Sequence, residues 1–351
     1  MLILRRECRH LGTRGSRRVD SLQNVACFSL ARVSLLRRNV GLSQARIACF
    51  DSDCSSRPFC SARRRFPARR TEPHGEIPTF SGVWSNQTPT PLERPEALAG
   101  KHTLTEDEAA EFEKTSLERL LTTFAPLVPT SGEFNEIWLE TSTGKVPPGR
   151  STSLIIDPPD GKVPYTPEGQ KRWDAVPKMG KPLLANVPED RNQVERCLTS
   201  DGLLLPNPFY NNYFEIVQAP GYVAIVTEMM HETRIIPLDA RPHVGSGVRM
   251  WTGDARGWWE GETLIVETTN FNDEKLFRGA TTGLHTVERF TKLDADTIEY
   301  RLTVTDPATF TRPWTLVNGL HRAEGGMYEV GCHEGNIGLR GILAGARAEE
   351  R

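Results

Sequence analysis

Apolar and polar residues alternate with a period of two through most of residues 213–320, and short turn sequences interrupt the alternation at regular intervals. That period puts successive side chains on opposite faces of an extended chain, so the stretch reads as one β-hairpin after another. Residues 214–218 and 222–230 flank Ala219-Pro220-Gly221, whose Pro and Gly preset a turn. Residues 234–238 make a third strand. Residues 257–260 and 263–270 flank Gly261-Glu262, and residues 285–293 and 297–306 flank Asp294-Ala295-Asp296. Residues 314–320 and 327–330 complete a set of about eight or nine strands. Hairpins without intervening helices predict an all-β fold, an antiparallel meander closing into a barrel.

The flanking sequence has other patterns. Residues 80–84 read as a first strand, and a helix is expected from Leu104 to about Thr122, with Thr105 and Glu108 forming a capping box. Residues 125–208 are irregular and rich in proline, which cannot donate to a ladder. Trp138, Trp173 and several leucines there need somewhere to pack, so the stretch is expected to wrap the β-core, with one short strand at 153–157.

Charge divides the chain. The net charge of −2 averages a leader, residues 1–70, holding sixteen Arg, no Lys and four acidic residues, against a body of charge −14. The leader has no lasting hydrophobic period and is expected to stay outside a single domain over residues 72–351. It reads as an organellar transit segment, a basic arm, or sequence upstream of the true start; the last reading is favoured. No apolar run is long enough to span a bilayer as a helix. The acidic body argues against nucleic acid, and the glycines make neither a G-x-G-x-x-G nor a phosphate loop. Five of seven cysteines lie in the leader; a Cys197–Cys332 bridge is open to the two in the body, and free buried thiols are the favoured reading.

Ionisable residues within the alternation are the candidates for chemistry. Parity puts His231 on the face of Val223, Ile225, Thr227 and Met229; it puts Glu267 with Ile265, and His285 with Val287 and Arg289. Ile298, Tyr300, Leu302 and Val304 are expected to line the same cavity. A histidine beside a buried carboxylate can act as general base and acid. Cys332-His333-Glu334-Gly335-Asn336 is the densest polar cluster, so His333 and Glu334 join the candidates; a plain turn explains it equally well. Arg234, Arg241, Arg249 and Arg256, with Asp239 and Asp254, read mostly as strand-end salt bridges, with Arg256 and Asp254 able to orient a substrate beside Tyr300 and Trp258. The histidines lack H-x-H, H-E-x-x-H or C-x-x-C spacing, so no metal and no cofactor is expected.

Four segments carry a resemblance: Phe80-Ser81-Gly82-Val83-Trp84, the stretch from Asp254 through Arg256-Gly257-Trp258-Trp259-Glu260-Gly261 to Phe271, Glu288 to Asp296, and Cys332 to Asn336. Together they resemble a largely uncharacterised exported bacterial family, abundant in soil acidobacteria and proteobacteria, over residues from about 80 to the C-terminus. The resemblance implies export to the periplasm or beyond, although the expected signal before Ser81 is missing, which leaves a mitochondrial or cytoplasmic location as the alternative. It supplies no catalytic residue. Gly82-Val83-Trp84 also resembles the G-x-W of lipocalins, an analogy for the barrel alone.

The expectation is a lipocalin-like β-barrel enzyme performing cofactor-independent acid/base chemistry on a small, mostly apolar organic compound. Lyase, hydratase, isomerase or cyclase reactions all fit. Its catalytic residues would be His231, His285 and Glu267, then His333 and Glu334. The alternatives are a non-catalytic binder of a lipid, haem or secondary metabolite, and a His-ligated metalloenzyme.

Overall fold

The alternating segments form antiparallel strands of one sheet in a computed structural model that describes residues 77–116, 118, 144–176, 185–199, 202–207, 212–274, 277–323, 325–328, 330–334 and 336–349. The arginine-rich leader and Trp138 lie outside these residues. The strands are β1 Gly82–Ser85, β2 Ile155–Asp157, β3 Tyr213–Ala219, β4 Tyr222–Thr227, β5 Thr233–Pro237, β6 Asp254–Glu260, β7 Thr263–Thr269, β8 His285–Lys292, β9 Thr297–Thr305 and β10 Trp314–Arg322. Neighbours follow the order β5-β4-β3-β1-β10-β9-β8-β7-β6, and β2 pairs with the first half of β10 while β1 pairs with its end. Strands β3 to β10 thus wind in chain order, with β1 inserted between the first and last of them. This is the expected meander, closed almost completely into a barrel.

The closure has a parity problem. Every pairing along the nine-strand path is antiparallel, so its two ends, β5 and β6, point the same way. They approach without joining an antiparallel ladder. The approach is close: a β-carbon on Gly257 of β6 would lie 2.8 Å from Ile236 Cγ2 and 2.7 Å from Leu238 Cδ2. Because β5 and β6 are parallel, the chain between them, residues 238–253, must return along the barrel wall before β6 can start.

Large side chains fill the inside. Trp84, Phe290, Tyr300, Leu302 and Trp314 have no water-accessible surface at all, the signature of a packed core. Trp84 donates its indole N–H to Phe80 O at 2.7 Å, Phe80 stacks on Trp259, and the Arg322 guanidinium lies 4.5 Å over the Trp84 ring. Within the proline-rich stretch, Leu154 and Ile155 are fully buried.

Helix α1, Glu106–Lys114, carries the expected capping box: Thr105 N–H donates to Glu108 Oε2 at 2.8 Å, and Glu108 N–H to Thr105 Oγ1 at 3.2 Å. Two further helices, α2 Pro167–Ala175 and α3 Ile337–Glu349, are not foreseen from the sequence. The first starts at a Thr166 cap followed by a proline at its first position, a start signal lost among the prolines around it. The strand expected at 327–330 does not form at its described residues; the Tyr328 N–H donates instead to Glu228 Oε1 at 3.0 Å. Cys197 and Cys332 are not free thiols. They form a disulfide with Cα atoms 5.8 Å apart, a long-range pairing that neither local sequence discloses.

The seam yields a test. Gly257→Val puts branched methyl groups against Ile236 and Leu238, and should cost about 1–3 kcal/mol of stability in urea unfolding.

Candidate functional site

Register decides which ionisable groups meet. Across β6, β7 and β8, Ala255, Thr268 and Thr286 align on the inner face, as do Gly257, Val266 and Glu288, and Trp259, Leu264 and Phe290. Arg256, Glu267 and Val287 align on the outer face, with Asp254 and His285 sharing it. The candidates on these strands therefore gather on the outside of the wall. The returning connection adds His243 to them.

Together they form a chain of alternating carboxylates and imidazoles. Arg256 Nη1 donates to Asp254 Oδ1 at 2.5 Å, and Asp254 Oδ2 lies 3.0 Å from His243 Nδ1. His243 Nε2 stands 3.7 Å from Glu267 Oε2, and Glu267 Oε1 is 2.7 Å from His285 Nε2. The backbone fixes the frame, because Val244 N–H donates to Asp254 Oδ2 at 2.9 Å and Arg256 Nε donates to Pro242 O at 3.2 Å. Burial grades along the chain: Asp254 is buried, while Glu267 and His285 are about a third exposed. The hydrogen bond from His285 holds the Glu267 carboxyl below its ordinary range against the opposing effect of partial burial, and the nearby His285 and His243 imidazoles act in the same direction as that bond. At neutral pH this presents an ionised carboxylate between two imidazoles, one of them open to solvent.

A second polar system lies inside the barrel. Arg234 Nη1 and Nη2 donate to the two Glu288 oxygens at 2.6 and 2.9 Å, and the Tyr300 hydroxyl donates to Glu288 Oε1 at 2.9 Å. Side-chain exposure is 3% for Arg234 and 0% for Glu288. Burial, then the Glu288 charge, pushes the Tyr300 hydroxyl well above its ordinary value, so it stays a donor. Arg234 is consequently not a strand-end surface bridge. It ties β5 to β8 across the interior.

These placements correct three expectations. His231 does not continue the β4 face: β4 ends at Thr227, and Met230 and His231 have left-handed backbone in a turn that leaves His231 exposed. Tyr300 does not share a face with His285 and Glu267, because it pairs opposite Phe290 while His285 pairs opposite Thr305. Parity groups residues correctly but does not say which group faces inward; the doubly buried run Leu264-Ile265-Val266 hides the distinction in β7. Third, His333 and Glu334 are exposed in the turn beside the disulfide, and no bond among the described residues links them to His285 or Glu267. Trp258 lies on the outer face of β6 opposite Ile265 and donates its N–H to Glu260 Oε1 at 3.1 Å.

Sequence reasoning passed over His243, and it did not place Glu288 and Arg234 together inside the barrel. The i+2 partners Phe290 and Ile236 signal the inner positions of Glu288 and Arg234; His243 sits in an aperiodic connection and has no such signal. Among the described residues no group of three His, Cys, Asp or Glu side chains is arranged to hold a metal, and no helix is long and apolar enough to cross a membrane. A groove of about 470 Å³ runs along α3, lined by Asn336, Leu339, Arg340, Leu343, Ala344 and Arg347.

No protein-family model and no curated protein matches the chain. A solved structure of a secretary abundant heat soluble (SAHS) protein from Ramazzottius varieornatus is similar at 10% identity and a TM-score of 0.22, over 38% of this chain and 87% of that one. Likeness of this degree carries no inference about ligand or activity.

Two predictions follow from the two polar systems. Arg234→Met strands a buried carboxylate and should lose about 3–5 kcal/mol in denaturant unfolding, whereas Arg234→Met with Glu288→Leu should lose less than the two single changes added together. The Glu267 pKa is lower folded than unfolded, so its contribution to stability is present above the unfolded value and disappears as pH falls through the folded one. Glu267→Gln should therefore flatten stability against pH on the acid side, and His285→Gln should move the Glu267 carboxyl titration upward in 13C NMR.

Proposed function

We propose that the outer wall of β6–β8 binds a small organic compound and that His285, backed by Glu267, exchanges a proton with it. The supporting observation is the 2.7 Å His285–Glu267 contact at a partly exposed position, continued inward by His243 and Asp254. A carboxylate behind an imidazole orients the ring and stabilises its protonated form, the arrangement that general acid/base catalysis uses. Arg256 is saturated by Asp254 and the Pro242 carbonyl, so it positions Asp254 and does not reach for a substrate. Reactions needing only proton movement, such as hydration, elimination or isomerisation, suit this set of groups.

The family resemblance bears on the setting. Disulfides persist in oxidising compartments, so the Cys197–Cys332 pair supports the reading of an exported protein.

A metabolite panel scanned by thermal unfolding tests the site. Compounds that stabilise the protein should lose at least tenfold in affinity in His285→Gln and Glu267→Gln, variants that should themselves remain folded. Bound compounds should exchange an acidic C–H or turn over in D2O with the wild-type protein and not with His285→Gln. Binding that is indifferent to both substitutions would sink the site, and binding with no exchange or turnover would sink the proton transfer.

A further inference from the structure

The barrel interior is filled partly by a segment that is not a strand. Residues 202–207 have neither helix nor strand structure, yet Leu203 and Leu204 are only 6% and 2% exposed and belong to the same apolar cluster as Phe290, Tyr300 and Leu302. The Leu204 backbone lies beside the Tyr300 hydroxyl, which donates to Glu288 at 2.9 Å. Gly202 lies so near the mouth residues that a β-carbon there would stand 2.7 Å from Thr252 Cγ2 and 3.5 Å from Arg234 Cδ. A loop segment therefore takes up space at the polar end of the barrel, where a strand-built core would leave a cup.

We propose that this space is an internal ligand site which the chain plugs with its own Leu203-Leu204, and that a neutral aliphatic alcohol occupies it when the plug withdraws. The chemistry follows from what the plug supplies. Its side chains fill an apolar space of about eight carbon atoms, roughly two leucines' worth of buried hydrocarbon. Tyr300 gives its proton to Glu288, so its oxygen is left to accept, and a ligand hydroxyl has a donor for it.

Three buried polar atoms at the same end have no partner: Arg234 Nε and the Thr268 and Thr286 hydroxyls. The two threonines face each other across β7 and β8, and Thr286 shares its inner face with Glu288. A ligand hydroxyl can also accept from one of these, which the Leu204 N–H cannot do. An anionic head group fits poorly, since the Arg234 charge is already matched by Glu288 and a second carboxylate would be buried unbalanced. This site is separate from the outer wall and does not depend on the reading of His285.

1-Decanol is a suitable probe and decanoate its charged control. Leu204→Ala weakens the plug, so the open state gains population and 1-decanol should bind about tenfold more tightly than to the wild-type protein, read by tryptophan emission or calorimetry. In that background Tyr300→Phe should weaken binding at least fivefold, and decanoate should bind at least tenfold less tightly than the alcohol. Equal affinity for wild type and Leu204→Ala, or equal affinity for alcohol and carboxylate, overturns the proposal. So does a failure of both folded proteins to bind 1-decanol. Should Leu204→Ala not fold, hydrogen exchange on the wild-type protein decides: saturating 1-decanol should raise deuterium uptake in residues 202–207, and unchanged or reduced uptake there overturns the plug.

Discussion

Nine strands paired antiparallel in a ring cannot all find antiparallel neighbours, and much of this molecule answers to that constraint. The mismatch falls between β5 and β6. Two consequences follow from its position. The connection between those strands is forced to run the height of the wall, and in doing so it lays Pro242, His243 and Val244 beside Asp254 and Arg256. The end strand β5, lacking a ladder on its free side, is fastened instead by Arg234 reaching through the interior to Glu288. One parity defect thus accounts for both polar systems.

The two systems differ in the work their surroundings allow. Glu288 is sealed from water and matched by a guanidinium and a phenol, so its charge is committed to holding strands together. A buried pair of this kind adds little over an apolar core, yet losing one partner is costly because the other is left charged in a dry place. Glu267 faces solvent in part and lies beside two imidazoles, 2.7 Å from His285 and 3.7 Å from His243. Glu288 and its chain neighbour Val287 lie on opposite sides of the same wall, with Val287 directly opposite Glu267. A single wall separates a charge sealed in the interior from one partly open to water.

Much of this was legible in the sequence, and the illegible part has physical causes. Period-two alternation located β3 to β10 closely, and the capping box at Thr105 and Glu108 located α1. His231, His285 and Glu267 were named together as candidates, and the fold brings the last two within 2.7 Å of each other on one face. Their face was taken as the inner one and is the outer one, because alternation is symmetric between inside and outside until burial breaks the tie, and Ile265 is buried on the outer side. His231 failed for another reason: a strand's parity stops at its last residue, and the turn after Thr227 reverses the chain within a few positions. His243, the disulfide and the Leu203-Leu204 plug all depend on contacts between segments distant in sequence, where no local period operates.

The disulfide has a topological meaning of its own. Cys197 lies shortly before β3 and Cys332 shortly after β10, so the bond draws the whole run β3–β10 into one covalent ring. The ring joins the outer ends of the two strands that β1 must later bridge. Even in an unfolded chain those ends stay near each other, which lowers the entropy lost when they meet. β1 lies outside the ring. The covalent loop thus holds every strand of the barrel but β1 and β2, and β1 stands between its two end strands as a keystone stands in an arch.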